Sequence, residues 1–188
     1  IDYSSINKNS KAYEVLTNLS STKNNIILDF NYTASTRLIL KQCGLSDEDI
    51  DNRLIKVHGE ASNNDIIFGV EDNAGIKKEH VFLRKAYNIK YKALNFSELY
   101  DRIKSVAIFG HSLGETDHTY FNKLFQESCM YNKFSTNNNK EFWLFYYKEN
   151  GYHCMMQQLD SLTHNSLTSF RQYNRVNFIN TDKEKVFI

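Results

Sequence analysis

Residues 109–118 read FGHSLGETDH, the densest run of reactive side chains in the sequence. Its centre, Gly110-His111-Ser112-Leu113-Gly114, is a G-x-S-x-G pentapeptide. In acyl hydrolases this pattern lifts a serine out of a sharp strand-to-helix turn beside backbone N–H groups that hold an oxyanion. Two further polar steps follow apolar runs: Asn31-Tyr32 after NNIILDF, and His58-Gly59 within RLIKVHG. An amide, an imidazole and a hydroxyl-bearing turn, each at the end of a β-like run, are the groups a small-molecule crevice needs. The expectation is that Asn31, His58 and Ser112 meet in one such crevice.

As a hydrolase, the chain would use Ser112 as nucleophile and His153 or His164 as general base, oriented by Asp160. His58-Gly59 would stand in for the oxyanion loop. The sequence argues against this reading. Glu115 and Asp117 put negative charge close to a serine where more negative charge must develop. Both candidate bases fall inside a predicted helix instead of on a loop beyond a strand. The structural alternative treats Gly110 as turn relief and Ser112 as an N-cap, with Asp117 in the first helical turn. His111 and His118, with Asp117, could be read as metal ligands, but a spacing of seven does not by itself build a site, so no metal site is expected.

The elements that must carry these residues alternate in type. Helical spacing marks 8–20, a strand 24–30, and a helix ASTRLILKQCG ending at Gly44. SDEDI reads as a short helix with acids in its first turn. Two β-like runs follow at 53–59 and 65–70, joined by the polar turn EASNN. Residues 77–91 and NFSELYDRIKS are predicted helical, and SVAIFG (105–110) is the clearest strand. Helix 116–133, strand 140–150, a long helix 152–172 and strand 175–180 complete the pattern. Alternation of this kind predicts an α/β fold, a Rossmann-like three-layer domain with a largely parallel sheet. Ligands of such sheets bind at the carboxyl ends of the strands. We expect one domain over 1–188, with 152–188 as a candidate C-terminal appendage.

Composition narrows the function. Lys plus Arg number 23 against 22 acids, a formal net charge of +1, so no basic field advertises nucleic acid. The basic residues of 77–92 read as a solvated helix face, and FWLFYY (142–147) as a buried strand. Met155 and Met156 read as core filling. Three cysteines without C-x-x-C spacing fit neither a disulfide framework nor a zinc site, and point to a reducing, cytoplasmic setting. No apolar run nears the roughly 20 residues that span a bilayer.

The blocks ILDFNYT, IKVHGE, IIFGVED and IFGHSLGETDHTYF occur in this order. Over about residues 24–125 they resemble the AbiH family of bacterial abortive-infection proteins, which act against phage. That family is in turn similar to sirtuin-like NAD-binding domains. The resemblance implies that Asn31 holds a ribose or a water and that His58 is a general base, with Tyr32 and Gly59 beside them. Gly110 and Ser112 would contact ribose or phosphate through N–H and hydroxyl groups, with His111 and Asp117 in the same loop. NAD is the ligand or substrate this implies, and a phage component or a defence protein the partner; an oligomer is allowed. The chain departs from the pattern in three ways. Thr33 stands where sirtuin-like enzymes carry Asp. Neither a glycine-rich first loop nor a G-N-G-F-D-like motif is present, and the chain opens on Ile1. We therefore expect the N-terminal strand of such a domain, with its phosphate loop, to lie outside this sequence. Three scattered cysteines leave no zinc ribbon, which disfavours lysine deacetylation.

Overall fold

The computed structural model describes residues 6–22, 24–70, 74–87, 102–130 and 139–184. The fold is mixed α/β and builds two small parallel sheets. They lie in two compact units, Ile1–Tyr91 with Val186–Ile188, and Lys92–Lys185.

In the first unit, helix α1 (Lys11–Ser21) starts where Ser10 Oγ accepts the Tyr13 N–H. Strand β1 (Ile27–Asp29) then leads through helices α2 (Ser35–Gln42) and α3 (Asp47–Asp51) to strand β2 (Leu54–Lys56). Ser46 caps α3, and Asp47, Glu48 and Asp49 sit against the positive end of its dipole. A hydrogen bond from Lys41 holds the Asp47 carboxyl below the usual carboxylate range. The strands pair in parallel with Ile27 opposite Leu54 and Asp29 opposite Lys56. Leu40, Ile50 and Leu54 form the core under them, joined by Leu16, Ile27 and Leu45.

The β-like run 65–70 does not become a strand. Val70 alone makes a bridge, to Arg84, and the Ile67 N–H is spent on the His58 carbonyl. Gly69, at φ +148°, lets the chain pass so close to Leu83 that a Cβ would meet its carbonyl oxygen at 2.4 Å. The basic segment after it forms 3₁₀ turns, Lys78–Leu83 and Lys85–Tyr87, instead of an α-helix. The predicted helix in NFSELYDRIKS falls largely outside the described residues.

The second unit carries strands β3 (Ser105–Ile108), β4 (Glu141–Tyr146) and β5 (Arg175–Asn180) in that spatial order, all parallel. Helix α4 (His118–Ser128) connects the first pair, and α5 (Lys148–Leu162) and α6 (Leu167–Tyr173) the second. Phe125 of α4, Phe142 of β4 and Phe170 of α6 are fully buried, with ring centroids 4.8–5.6 Å apart. The long helix predicted at 152–172 is thus two helices. His164 and Asn165 take left-handed backbone angles at the break, and the Asn165 N–H returns to the Asp160 carbonyl, which closes α5. Among the described residues, no helix is long and apolar enough to cross a membrane.

Candidate functional site

In the first unit, the carboxyl end of the β1–β2 pair is a buried polar cluster. Asp29 is only 4 % exposed. Lys56, its partner in register, brings its Nζ to 2.9 Å from Asp29 Oδ2. The same ammonium donates to the Asn31 carbonyl and, at 2.7 Å, to the Thr33 carbonyl. One cation therefore neutralises a buried carboxylate and ties down the loop that leaves β1. Asp29 Oδ1 accepts from the Asn31 backbone N–H and from its Nδ2, at 2.9 and 3.2 Å. A carboxylate only accepts, so the Asn31 amide must turn its nitrogen, not its oxygen, toward Asp29.

His58 follows β2 and is 5 % exposed. Tyr32 stacks over it, with centroids 5.9 Å apart at 29°, and Phe30 meets it edge-on at 5.5 Å. Gly59 is left-handed at φ +74°, and any Cβ there would lie 2.1 Å from the Asp65 carbonyl oxygen. The chain can turn beneath the imidazole only because this residue is glycine. Glu60, also buried, donates its N–H to Asp65 Oδ1 at 2.6 Å and accepts from Ser62 Oγ through its carboxylate.

In the second unit, the loop between β3 and α4 holds Gly110, His111, Ser112 and Asp117. Gly110 is left-handed at φ +64°. Leu113 is fully buried and also left-handed, at φ +54°, a conformation that costs a branched side chain about 1–2 kcal/mol. Its backbone is held on both sides. His111 Nδ1 accepts the Leu113 N–H at 2.9 Å, and His118 Nε2 lies 3.0 Å from the Leu113 carbonyl. His111 Nε2 is 3.3 Å from Asp117 Oδ2, and Phe121 packs edge-on against the ring. His118 Nε2 also reaches Gln158 Oε1 of α5, at 2.9 Å. Ser112 stands exposed at the crest of this loop.

The family model for bacteriophage abortive infection AbiH matches residues 2–145 of the 188. The chain belongs to the AbiH family. Searches of curated proteins and of solved structures each found no match.

Among the described residues of this AbiH chain, the groups of the hydrolase reading are not brought together around Ser112. The elbow needs its strained residue at the serine and a helix directly behind it. Here the left-handed residues are Gly110 and Leu113, and a 3₁₀ turn, Glu115–Asp117, precedes α4. Asp117, not Ser112, takes the N-cap place of α4, though its side chain is turned to His111 and does not cap the helix. His153 is exposed on α5 near Glu149, and His164 meets Gln126 beyond the end of that helix. Neither is bonded to Ser112. Among the described residues, no group of three His, Cys, Asp or Glu could hold a metal.

Asn31, Tyr32, His58 and Gly59 lie together at the first unit's sheet edge, and Gly110, His111, Ser112 and Asp117 in one loop of the second unit. Sequence reading missed Asp29, Lys56 and Glu60. A signal existed, since a charge closes each of the apolar runs IILD and LIK, but it gains meaning only once the register sets the two opposite each other. The AbiH loop also draws on Gln158, distant in sequence and invisible to motif reading.

Proposed function

We propose that this AbiH chain serves abortive infection by binding a nucleotide, and that the ligand is NAD, cleaved at its nicotinamide bond when phage infection is sensed. The observation that carries the reading is the β1–β2 edge. There an imidazole, a side-chain amide and an aromatic ring sit together at the carboxyl end of parallel strands, where α/β sheets bind ligands. In the reaction, water adds to the ribose anomeric carbon as nicotinamide leaves with the electrons of the C–N bond. Asn31 Oδ1 orients that water and His58 takes its proton. Little nucleophilic power is needed, because positioning of a cation-like ribose supplies most of the rate. Tyr32 covers His58, so the ring must swing aside to admit substrate. In the second unit the same reading gives Gly110, Ser112 and their loop to nucleotide contact.

The reading also makes the chain part of a Rossmann-like three-layer domain in the cytoplasm. Every strand pairing in both sheets is parallel, and the three cysteines are free, which support it. The test is to incubate the full-length protein with NAD, alone and with extract of phage-infected cells, and to follow nicotinamide. Release that disappears in a folded His58→Ala variant supports NAD cleavage. A protein that neither binds nor consumes NAD under either condition ends it. A catalytically silent sensor of a phage component is the second reading. It draws on the solvent-facing rings of Phe68, Phe82 and Tyr87 in the first unit.

A further inference from the structure

We propose that His111 and His118 are positioning residues that clamp Leu113 from both sides, and so fix how Ser112 is presented, instead of meeting a ligand themselves. A backbone N–H can only donate, so the 2.9 Å contact from Leu113 N–H requires a bare, accepting Nδ1 on His111. The His111 proton therefore sits on Nε2, toward Asp117 Oδ2 at 3.3 Å. A carbonyl can only accept, so His118 must carry its proton on Nε2, shared between the Leu113 carbonyl and Gln158 Oε1.

Both polar groups of one buried, left-handed residue are thus bonded by histidine side chains, one from each side of it in sequence. Leu113 is the anchor: its side chain is sunk in the core, its backbone is gripped, and Ser112 is held outward on the preceding peptide. Phe121 and Gln158 carry the grip to α4 and α5. The motif's conspicuous histidines are consumed in building the loop. Gly110 and Ser112 are exposed in this loop, as are Glu115 and Thr116, and the Ser112 hydroxyl and the Gly110 backbone suit the phosphate or ribose of a nucleotide. This last step rests on the nucleotide reading; the clamp does not.

Two measurements on the full chain separate them. Imidazole ¹⁵N spectra at about pH 8, above the ordinary histidine range, should show His111 with a bare Nδ1 and a protonated Nε2. Hydrogen exchange should show the Leu113 amide protected, and His111→Ala should speed that exchange roughly five- to tenfold, as expected for one lost hydrogen bond. His111→Asn, whose Oδ1 can replace Nδ1 as acceptor, should restore protection. A proton found on His111 Nδ1, or Leu113 exchange unchanged in both variants, overturns the clamp. If His111→Ala fails to fold, the wild-type tautomer and the Asn variant still decide. For the ligand, NAD affinity should fall roughly five- to tenfold in His111→Ala and His118→Ala and return in His111→Asn and His118→Gln. Wild-type protein that binds no NAD would end the nucleotide reading and leave the spectroscopic result standing. Affinity lost equally in the Asn and Gln variants would mean that the imidazoles touch the ligand, and would overturn the assignment.

Discussion

Lys56 carries more of the first unit's sheet edge than its place in a three-residue strand suggests. A lysine that neutralises a buried aspartate and donates to two loop carbonyls cannot be replaced by an apolar residue without stranding the carboxylate. Removing one partner of a buried pair is far costlier than removing both. Lys56→Met should therefore lower stability by about 3 kcal/mol, and Lys56→Met combined with Asp29→Asn by distinctly less. Equilibrium urea unfolding of the two variants checks this, and equal losses would refute it. Two glycines supply an internal contrast. Gly44, at φ +90° after α2, has open space around its Cβ position, whereas at Gly59 a Cβ would lie 2.1 Å from a backbone oxygen. Gly44→Ala should cost about 1 kcal/mol for its backbone angle alone. Gly59→Ala adds a clash with an unyielding carbonyl and should cost at least about 2–3 kcal/mol more. Melting temperatures of the pair report the difference.

Elements fix the thiols' environments as well as the fold. Cys129 follows α4, its Sγ–H donates to the Phe125 carbonyl at 3.2 Å, and burial pushes its thiol up from the usual range. Cys154 lies exposed on α5. Thiolate is the reacting form, so a disulfide reagent should label Cys154 first and Cys129 last in the native protein. Peptide mass mapping of partly labelled samples gives the order, and early labelling of Cys129 would show that the C-terminal turn of α4 is not packed as described. The elements easiest to read in the sequence were those whose own pattern decides them. Strands β3, β4 and β5 are apolar runs with polar ends, and α1 keeps helical spacing behind a serine cap. The run 65–70 looked equally apolar, but Gly69 and the bond from Ile67 N–H to the His58 carbonyl give its backbone partners that no strand pattern encodes. The α5–α6 break was easy to miss because no glycine or proline marks it; Asn165, a residue that tolerates left-handed angles at a helix end, is its one signal in the sequence. The candidate site divides the same way. Gly59 and the Gly110 turn were readable from residue type. The Asp29–Lys56 pair needs the strand register, and the His118–Gln158 contact needs packing of α4 with α5.

At the scale of the whole molecule, near-cancelling charge and membership in a phage-defence family frame what the chain can bind. A formal net charge of +1 gives little long-range attraction for a polyanion. The proposed nucleotide site must then act by local contacts, such as the amide and the imidazole at the β1–β2 edge, neither of which depends on net charge. The two kinds of binding separate in a melting experiment. A ligand that binds only the folded state stabilises it by mass action, about 2.7 kcal/mol at a hundredfold excess over its dissociation constant. In a chain of this size that shifts the midpoint by about 5–10 °C. NAD should therefore raise the melting temperature in proportion to the logarithm of its concentration, and moderate salt should leave most of the shift. Duplex DNA at equal phosphate concentration should move it little, and any shift it causes should vanish with added salt. His58→Ala adds the deciding comparison. His58 is assigned to proton transfer, so its loss should leave much of the NAD shift in place while nicotinamide release stops. A shift lost together with turnover would make His58 a binding residue. A DNA shift larger than that of NAD, and resistant to salt, would contradict the nucleotide reading at its root, because it would need a field that the charge balance does not supply.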